Sequence, residues 1–174
     1  MPLYYRLGRV PHKRHTTFRN PAGGFFYEEL FGTIGFDGMA SLLYHVHRPT
    51  QVKEILGSRD VSPKIAVEKS VTARKLLGFQ AEPKDDFLES RTPLLANRDV
   101  IISVAAPRQS LTAYFYKNAD ADELLFVHRG SGRLRTMLGT ILFGYGDYLL
   151  IPRGMIYQIE FDSPETSGDQ PRLF

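Results

Sequence analysis

Near the end of the sequence, a run of residues has the types and spacing of one half of a metal site. Gly146 is followed after five residues by Pro152, and Gly154 comes two positions later. Tyr157 then stands where such a site places a metal-binding histidine, and Phe161 stands where it places an asparagine. Glycine and proline make tight turns, whereas imidazole nitrogen is the usual ligand. The turns of the site are therefore present, but its ligand is replaced.

The other half of such a site should lie upstream, on a strand that places alternate residues on one face. Glu123 is followed after six residues by Gly130, and 15 residues separate Gly130 from Gly146, which suits a short hairpin connection. Counting back from Glu123, the paired histidines would fall at Tyr116 and Asn118, or at Lys117 and Ala119. One carboxylate remains of four expected ligands, too few for an Fe(II) site of two histidines and one carboxylate. We predict neither a metal site nor a catalytic residue in this chain.

The two blocks resemble those of the cupin superfamily in their turns rather than in their ligands. That resemblance implies a barrel in which Glu123 and Tyr157, with Asn118 nearby, face the interior. One interpretation is a small-molecule pocket lined by these residues. The alternative, which the sequence favours, is a barrel interior filled by side chains.

The five histidines give a second possible iron site. His45 and His47 are two residues apart in a predicted strand and would share a face, and His12 or His15 could supply a third ligand. No carboxylate has a spacing that completes the set. The polar face of an amphipathic strand explains His45 and His47 with fewer assumptions, and His128 precedes a turn.

Short runs rich in β-branched and aromatic residues, separated by glycine, proline and asparagine, predict an all-β protein. The predicted strands are 39–47, 99–105, 111–117, 123–128, 133–138, 140–143, 148–151 and 155–161. Their close spacing favours a cupin-like jelly-roll barrel, or double-stranded β-helix, with an irregular N-terminal extension. We predict a single domain over 1–174, with an arm and first strands in 1–97 and the core strands in 98–174. Residues 171–174 are typical of the start of another strand.

Composition excludes several classes of protein. The chain of 174 residues has no cysteine, so thiolate chemistry and iron–sulfur clusters are excluded, and no apolar run is long enough to span a membrane. The N-terminus carries charges where a secretory signal would be apolar, so we expect a cytoplasmic protein. Five basic residues precede the first acidic one, Glu28. They lack a nucleic-acid-binding pattern, and we expect a solvated arm or one docked on a neighbouring subunit.

Several segments resemble the N-terminal half of bacterial homogentisate 1,2-dioxygenases. These are PHKRH at 11–15, YEELFG at 27–32, LYHVH at 43–47, YKNADADELLFV at 116–127, and 144–161. The resemblance implies a non-haem Fe(II) enzyme of tyrosine and phenylalanine catabolism that opens the aromatic ring of homogentisate with O2. It also implies a homo-oligomer, such as a hexamer, and an N-terminal barrel without iron. The ligands and the catalytic histidine of that family reside in a C-terminal half with no counterpart here.

The sequence thus leads to two hypotheses. The first is the N-terminal portion of a homogentisate dioxygenase-like enzyme, inactive as a 174-residue chain and without Fe(II) of its own. The second is a free-standing, metal-free cupin that binds a small molecule or a partner protein. We expect neither nucleic acid nor membrane as a partner.

Overall fold

The computed structural model describes residues 17–49, 51–65, 72–162 and 173. Contacts divide the chain into two compact units, Met1–Ser58 and Arg59–Phe174. The described residues form ten strands and a single turn of 3-10 helix at Gly78–Gln80, so the predicted all-β, cupin-like class is confirmed. The prediction of one domain over 1–174 stays a prediction. Within the described ranges, no helical segment reaches the length and apolarity that crossing a lipid bilayer requires.

The first unit contains a two-stranded antiparallel ribbon, β1 (Tyr27–Ile34) and β2 (Asp37–His45). A two-residue turn joins the strands, and its first residue, Gly35, has a φ of 62°, a conformation that favours glycine in such hairpins. The strand β2 ends at His45, two residues before the predicted end, because the chain bends at 46–47. His47 therefore lies beyond the strand.

The second unit contains eight strands in the described residues. These are β3 (Arg91–Ala96), β4 (Ile101–Ala105), β5 (Leu111–Lys117), β6 (Glu123–Phe126), β7 (Gly132–Thr136), β8 (Gly139–Phe143), β9 (Tyr148–Ile151) and β10 (Ile156–Phe161). A four-stranded sheet has the order β5-β10-β7-β8, and two further antiparallel pairs are β3 with β4 and β6 with β9. The predicted bounds of β5 and β9 are confirmed, and the other predicted strands shift by one or two residues.

The core of this unit follows from the two-residue period of its strands. In the pair of β6 and β9, Leu125 and Leu149 lie opposite each other and are buried, while Leu124 and Leu150 on the other face are exposed. Strand β10 lies between β5 and β7 and is buried along its middle. The fully buried side chains include Val104, Val127, Tyr157, Ile159 and Leu173.

Candidate functional site

The structure brings together two of the predicted site residues. Glu123 is the first residue of β6, and Tyr157 lies in β10. The Tyr157 hydroxyl donates a hydrogen bond to Oε2 of Glu123 over 2.7 Å. Tyr157 has no exposed surface and Glu123 has 9%. The two positions that the motif spacing singles out are therefore neighbours in the interior.

The turns of the motif explain why these side chains meet. Gly146 and Gly154 have φ values of 90° and 82°, in the left-handed region that glycine adopts without strain. Because β9 lies between these turns, it pairs with β6 in a register that sets Glu123 opposite Ile151 on the buried face. The turn at Gly154 then leads into β10, where Tyr157 points inward. The glycines thus fix the geometry in which the site residues converge.

A third residue, Arg91, completes the network and was not predicted. Its Nη1 donates to Oε1 of Glu123 over 2.6 Å, and its Nη2 donates to the Tyr157 hydroxyl over 3.1 Å. The guanidinium carbon lies 4.4 Å from the ring centre of Phe87 and 5.2 Å from that of Tyr116. A planar guanidinium suits such stacking, so Arg91 is held by rings and by charge at once.

A compact turn before β3 positions Arg91 beside Glu123 and Tyr157. The Asp86 carboxylate accepts hydrogen bonds from the backbone N–H groups of Leu88 and Glu89, and the backbone N–H of Ser90 donates to the carbonyl of Asp86. Side chains of aspartate commonly stabilise turns in this way. Phe87, only 1% exposed, anchors the turn in the core. Arg91 then begins β3 beside Glu123.

Burial and charge set the acid–base properties of the network. Burial raises the pKa of Tyr157; the Arg91 charge opposes that rise, and the Glu123 carboxylate adds to it. Burial likewise raises the pKa of Tyr116. Burial alone would lower the pKa of Arg91, but its phenol and carboxylate neighbours outweigh it and the pKa is raised. Both phenols therefore stay protonated and the guanidinium stays charged near neutral pH.

The third predicted residue, Asn118, stabilises two turns through hydrogen bonds to the backbone. Its side-chain oxygen accepts hydrogen bonds from the backbone N–H groups of Asp120 and Ala121, and its carbonyl accepts one from the N–H of Gly154. Asn118 thus joins the turn after β5 to the turn before β10. The structure does not bring its amide to the network of Arg91, Glu123 and Tyr157. A pocket lined by all three predicted residues stays a prediction, and this packing favours the filled interior.

The donor set around Glu123 does not fit Fe(II). Both carboxylate oxygens already accept hydrogen bonds, one from a guanidinium and one from a phenol. The positive charge of Arg91 occupies the place beside the carboxylate that a cation would take, and a protonated phenol is a poor ligand. In the described ranges, no group of three or more histidine, aspartate or glutamate side chains is close enough to hold a metal ion.

The second possible iron site receives no support from the described histidines. His45 is hydrogen-bonded through Nε2 to Oε2 of Glu29 at 2.7 Å, across the ribbon of β1 and β2. His47 lies past the end of β2, where it lines an open groove of about 250 Å³ with Tyr27 and Arg48. His12 and His15 lie outside the described residues, as does most of the basic arm. The strand β2 ends at His45, so His47 lies outside it, and the sharing of one face by these two histidines stays a prediction.

Comparison with known proteins finds a relative that matches most of this chain. The chain is 37% identical over 163 residues to a protein of Saccharolobus solfataricus named as a putative dioxygenase. The aligned region covers 92% of this chain and 42% of that protein, so the chain spans about two fifths of its length. No family model matches. The chain is therefore similar, along nearly all of its length, to about two fifths of a protein named as a putative dioxygenase, and the name specifies no substrate.

Proposed function

We propose that this chain is the N-terminal, iron-free portion of a homogentisate 1,2-dioxygenase-like enzyme, which opens an aromatic ring with O2. The observation that carries the proposal is the 37% identity over 163 residues to a protein named as a dioxygenase and more than twice as long. The motif segments that resemble homogentisate dioxygenases supply the narrower assignment. The reaction, its substrate and its Fe(II) then belong to the rest of the longer protein.

The Arg91 network supports an iron-free role for this barrel. A buried carboxylate needs a partner, and here a guanidinium and a phenol satisfy both of its oxygens. The same three side chains occupy the interior where the cupin blocks would place a metal. The barrel is thus a packed scaffold, and the chemistry of the enzyme does not depend on Glu123 as a ligand.

The partners follow from the same proposal. A scaffold portion packs against the C-terminal half that carries the iron ligands, and by the resemblance it also contributes to a homo-oligomer in the cytoplasm. The small aromatic substrate binds in the other half. The alternative, a free-standing cupin that binds a ligand beside Glu123, has less support because Tyr157 has no exposed surface.

The native gene product tests this proposal. It should be captured from its source with an antibody raised against the 174-residue chain, and its intact mass and its homogentisate-dependent O2 uptake should be measured. We expect a mass more than twice 19.8 kDa and O2 uptake that an iron chelator abolishes. A product of 19.8 kDa would contradict the proposal, as would a longer product that is iron-loaded and consumes no O2 with homogentisate.

A further inference from the structure

Leu173 connects two pairs of strands that are otherwise separate. Its N–H donates to the carbonyl of Ala105 over 3.2 Å, and its carbonyl accepts from the N–H of Ala105 over 2.9 Å. It also forms an antiparallel bridge with Val127, just after β6. Leu173 is 1% exposed, and Ala105 and Val127 are buried with it. One residue thus lies between β4 and β6 and pairs with both.

The backbone of β4 continues this pairing edge beyond Leu173. In a strand, the polar groups of successive residues point to opposite sides. Because Ala105 bonds to Leu173, the polar groups of Ser103 and Ile101 point toward the same side, away from β3. Among the described residues, no strand pairs with β4 on that side. The edge of β4 contains no lysine or proline, the residues that usually protect an edge from pairing.

Strand β6 presents a matching edge. The polar groups of Val127 bond to the turn at Gly146 and Asp147, so by the same alternation those of Leu124 point away from β9. Ile101, on the facing edge of β4, is 53% exposed. Both strands run antiparallel to the chain at Leu173, so one strand could bond to both at once.

We infer that the gap between β4 and β6 is a slot for one further β-strand, which continues from Leu173 and is supplied by the rest of a longer polypeptide. The two bridges fix its register: the second residue after Leu173 lies opposite Ser103 and Leu125, and the fourth lies opposite Ile101 and Glu123. These positions face the core, as Leu173 does, so they are apolar. The result is a five-stranded sheet with the order β3, β4, new strand, β6, β9.

The source of the strand rests on the proposed function, since the relative extends well beyond the region that this chain matches. The existence of the slot does not rest on the proposed function, because it follows from the backbone of β4 and β6. Failure of the native product to consume O2 would therefore leave the slot standing. If instead the hydrogen-exchange test of the slot failed, the dioxygenase proposal would be unaffected.

Short extensions of the chain test the slot. Three versions carry four residues after Phe174: Val-Thr-Val-Thr, which places valine at the core-facing positions; Thr-Val-Thr-Val, shifted by one residue; and Pro-Thr-Pro-Thr, which lacks the N–H groups that would bond to β4. Amide hydrogen exchange is measured for each version as a monomer. We expect the first to slow exchange at Ser103, Ile101 and Leu124 by about tenfold relative to the unextended chain, and the other two to leave it unchanged.

Two results would overturn the inference. One is unchanged exchange at these three amides in the Val-Thr-Val-Thr chain. The other is equal slowing by the shifted extension, since a one-residue slip turns every side chain to the other face.

Discussion

The guanidinium of Arg91 donates to the carboxylate of Glu123 over 2.6 Å in the interior of the second unit, at the residue that the cupin blocks of the sequence single out as a metal ligand. The Arg91 side chain is 24% exposed and that of Glu123 is 8% exposed. An ion pair this deep is held in place by its hydrogen bonds, because either charge alone would be costly to bury. The Glu123 carboxylate is therefore already paired with a cation of the protein, the Arg91 guanidinium.

Replacing Arg91 with alanine leaves the Glu123 carboxylate buried without its cation. We expect a loss of about 3 kcal/mol in the free energy of unfolding, measured by urea denaturation. The matched control is Arg108→Ala, which removes an exposed pair with Asp85 at 3.7 Å and should change stability by less than about 0.5 kcal/mol. Equal losses in the two variants would show that the Arg91 pair does not stabilise the folded protein.

Removing one hydroxyl tests the other side of the network. Tyr157→Phe keeps the buried ring but deletes the bonds to Glu123 and Arg91, so we expect a loss of about 2 kcal/mol. Tyr148→Phe, at a side chain that is 66% exposed, serves as the control and should change stability little. A thermal unfolding series on both variants decides the matter, and an unchanged Tm for Tyr157→Phe would count against the network.

The raised phenol pKa values predict alkaline sensitivity. In the unfolded chain a tyrosine loses its proton near pH 10, whereas Tyr157 keeps its proton in the folded protein. The folded state then binds more protons than the unfolded state, so stability is full below about pH 10 and falls as pH rises above it. Tyr116 and Tyr114 contribute in the same direction.

Urea midpoints measured between about pH 8 and pH 11 check this dependence. The fall above pH 10 should be shallower in Tyr157→Phe than in the parent chain, because one of the shifted groups is gone. Parallel curves for the two proteins would mean that Tyr157 does not couple folding to proton binding.

Gly132 marks a tight approach between β7 and β10. A Cβ placed there would lie 2.0 Å from the carbonyl oxygen of Glu160 and 2.8 Å from Cζ of Phe143. Since the first neighbour is backbone, we expect Gly132→Ala to destabilise the protein by about 3 kcal/mol. Gly144→Ala is the control, because a Cβ there meets nothing within 4 Å. Similar denaturation midpoints for the two variants would contradict this packing.

Much of the strand order could be predicted from local signals. The spacing of the turn glycines, through its resemblance to the cupin blocks, predicted that Glu123 and Tyr157 face one interior. The strands β1 and β3 were not predicted. The ribbon strand β1 contains two glutamates and a glycine, and β3 contains Pro93, which a strand with a partner on one side tolerates.

Arg91 could not be found from spacing, because it contacts Glu123 across 32 residues and belongs to neither of the two cupin blocks. One physical signal was present: a glutamate predicted to face a barrel interior needs a cation or a strong donor. That signal predicts the existence of a partner. Which of the many arginines supplies it depends on the tertiary fold.

The most direct measurement of the central claim is made on the purified 174-residue chain after anaerobic loading with Fe(II). Bound iron per chain and homogentisate-dependent O2 uptake are measured on the same sample. We predict no stoichiometric iron and no O2 uptake, because the carboxylate of the cupin position is held by Arg91 and Tyr157. One iron per chain together with sustained O2 uptake would contradict the account.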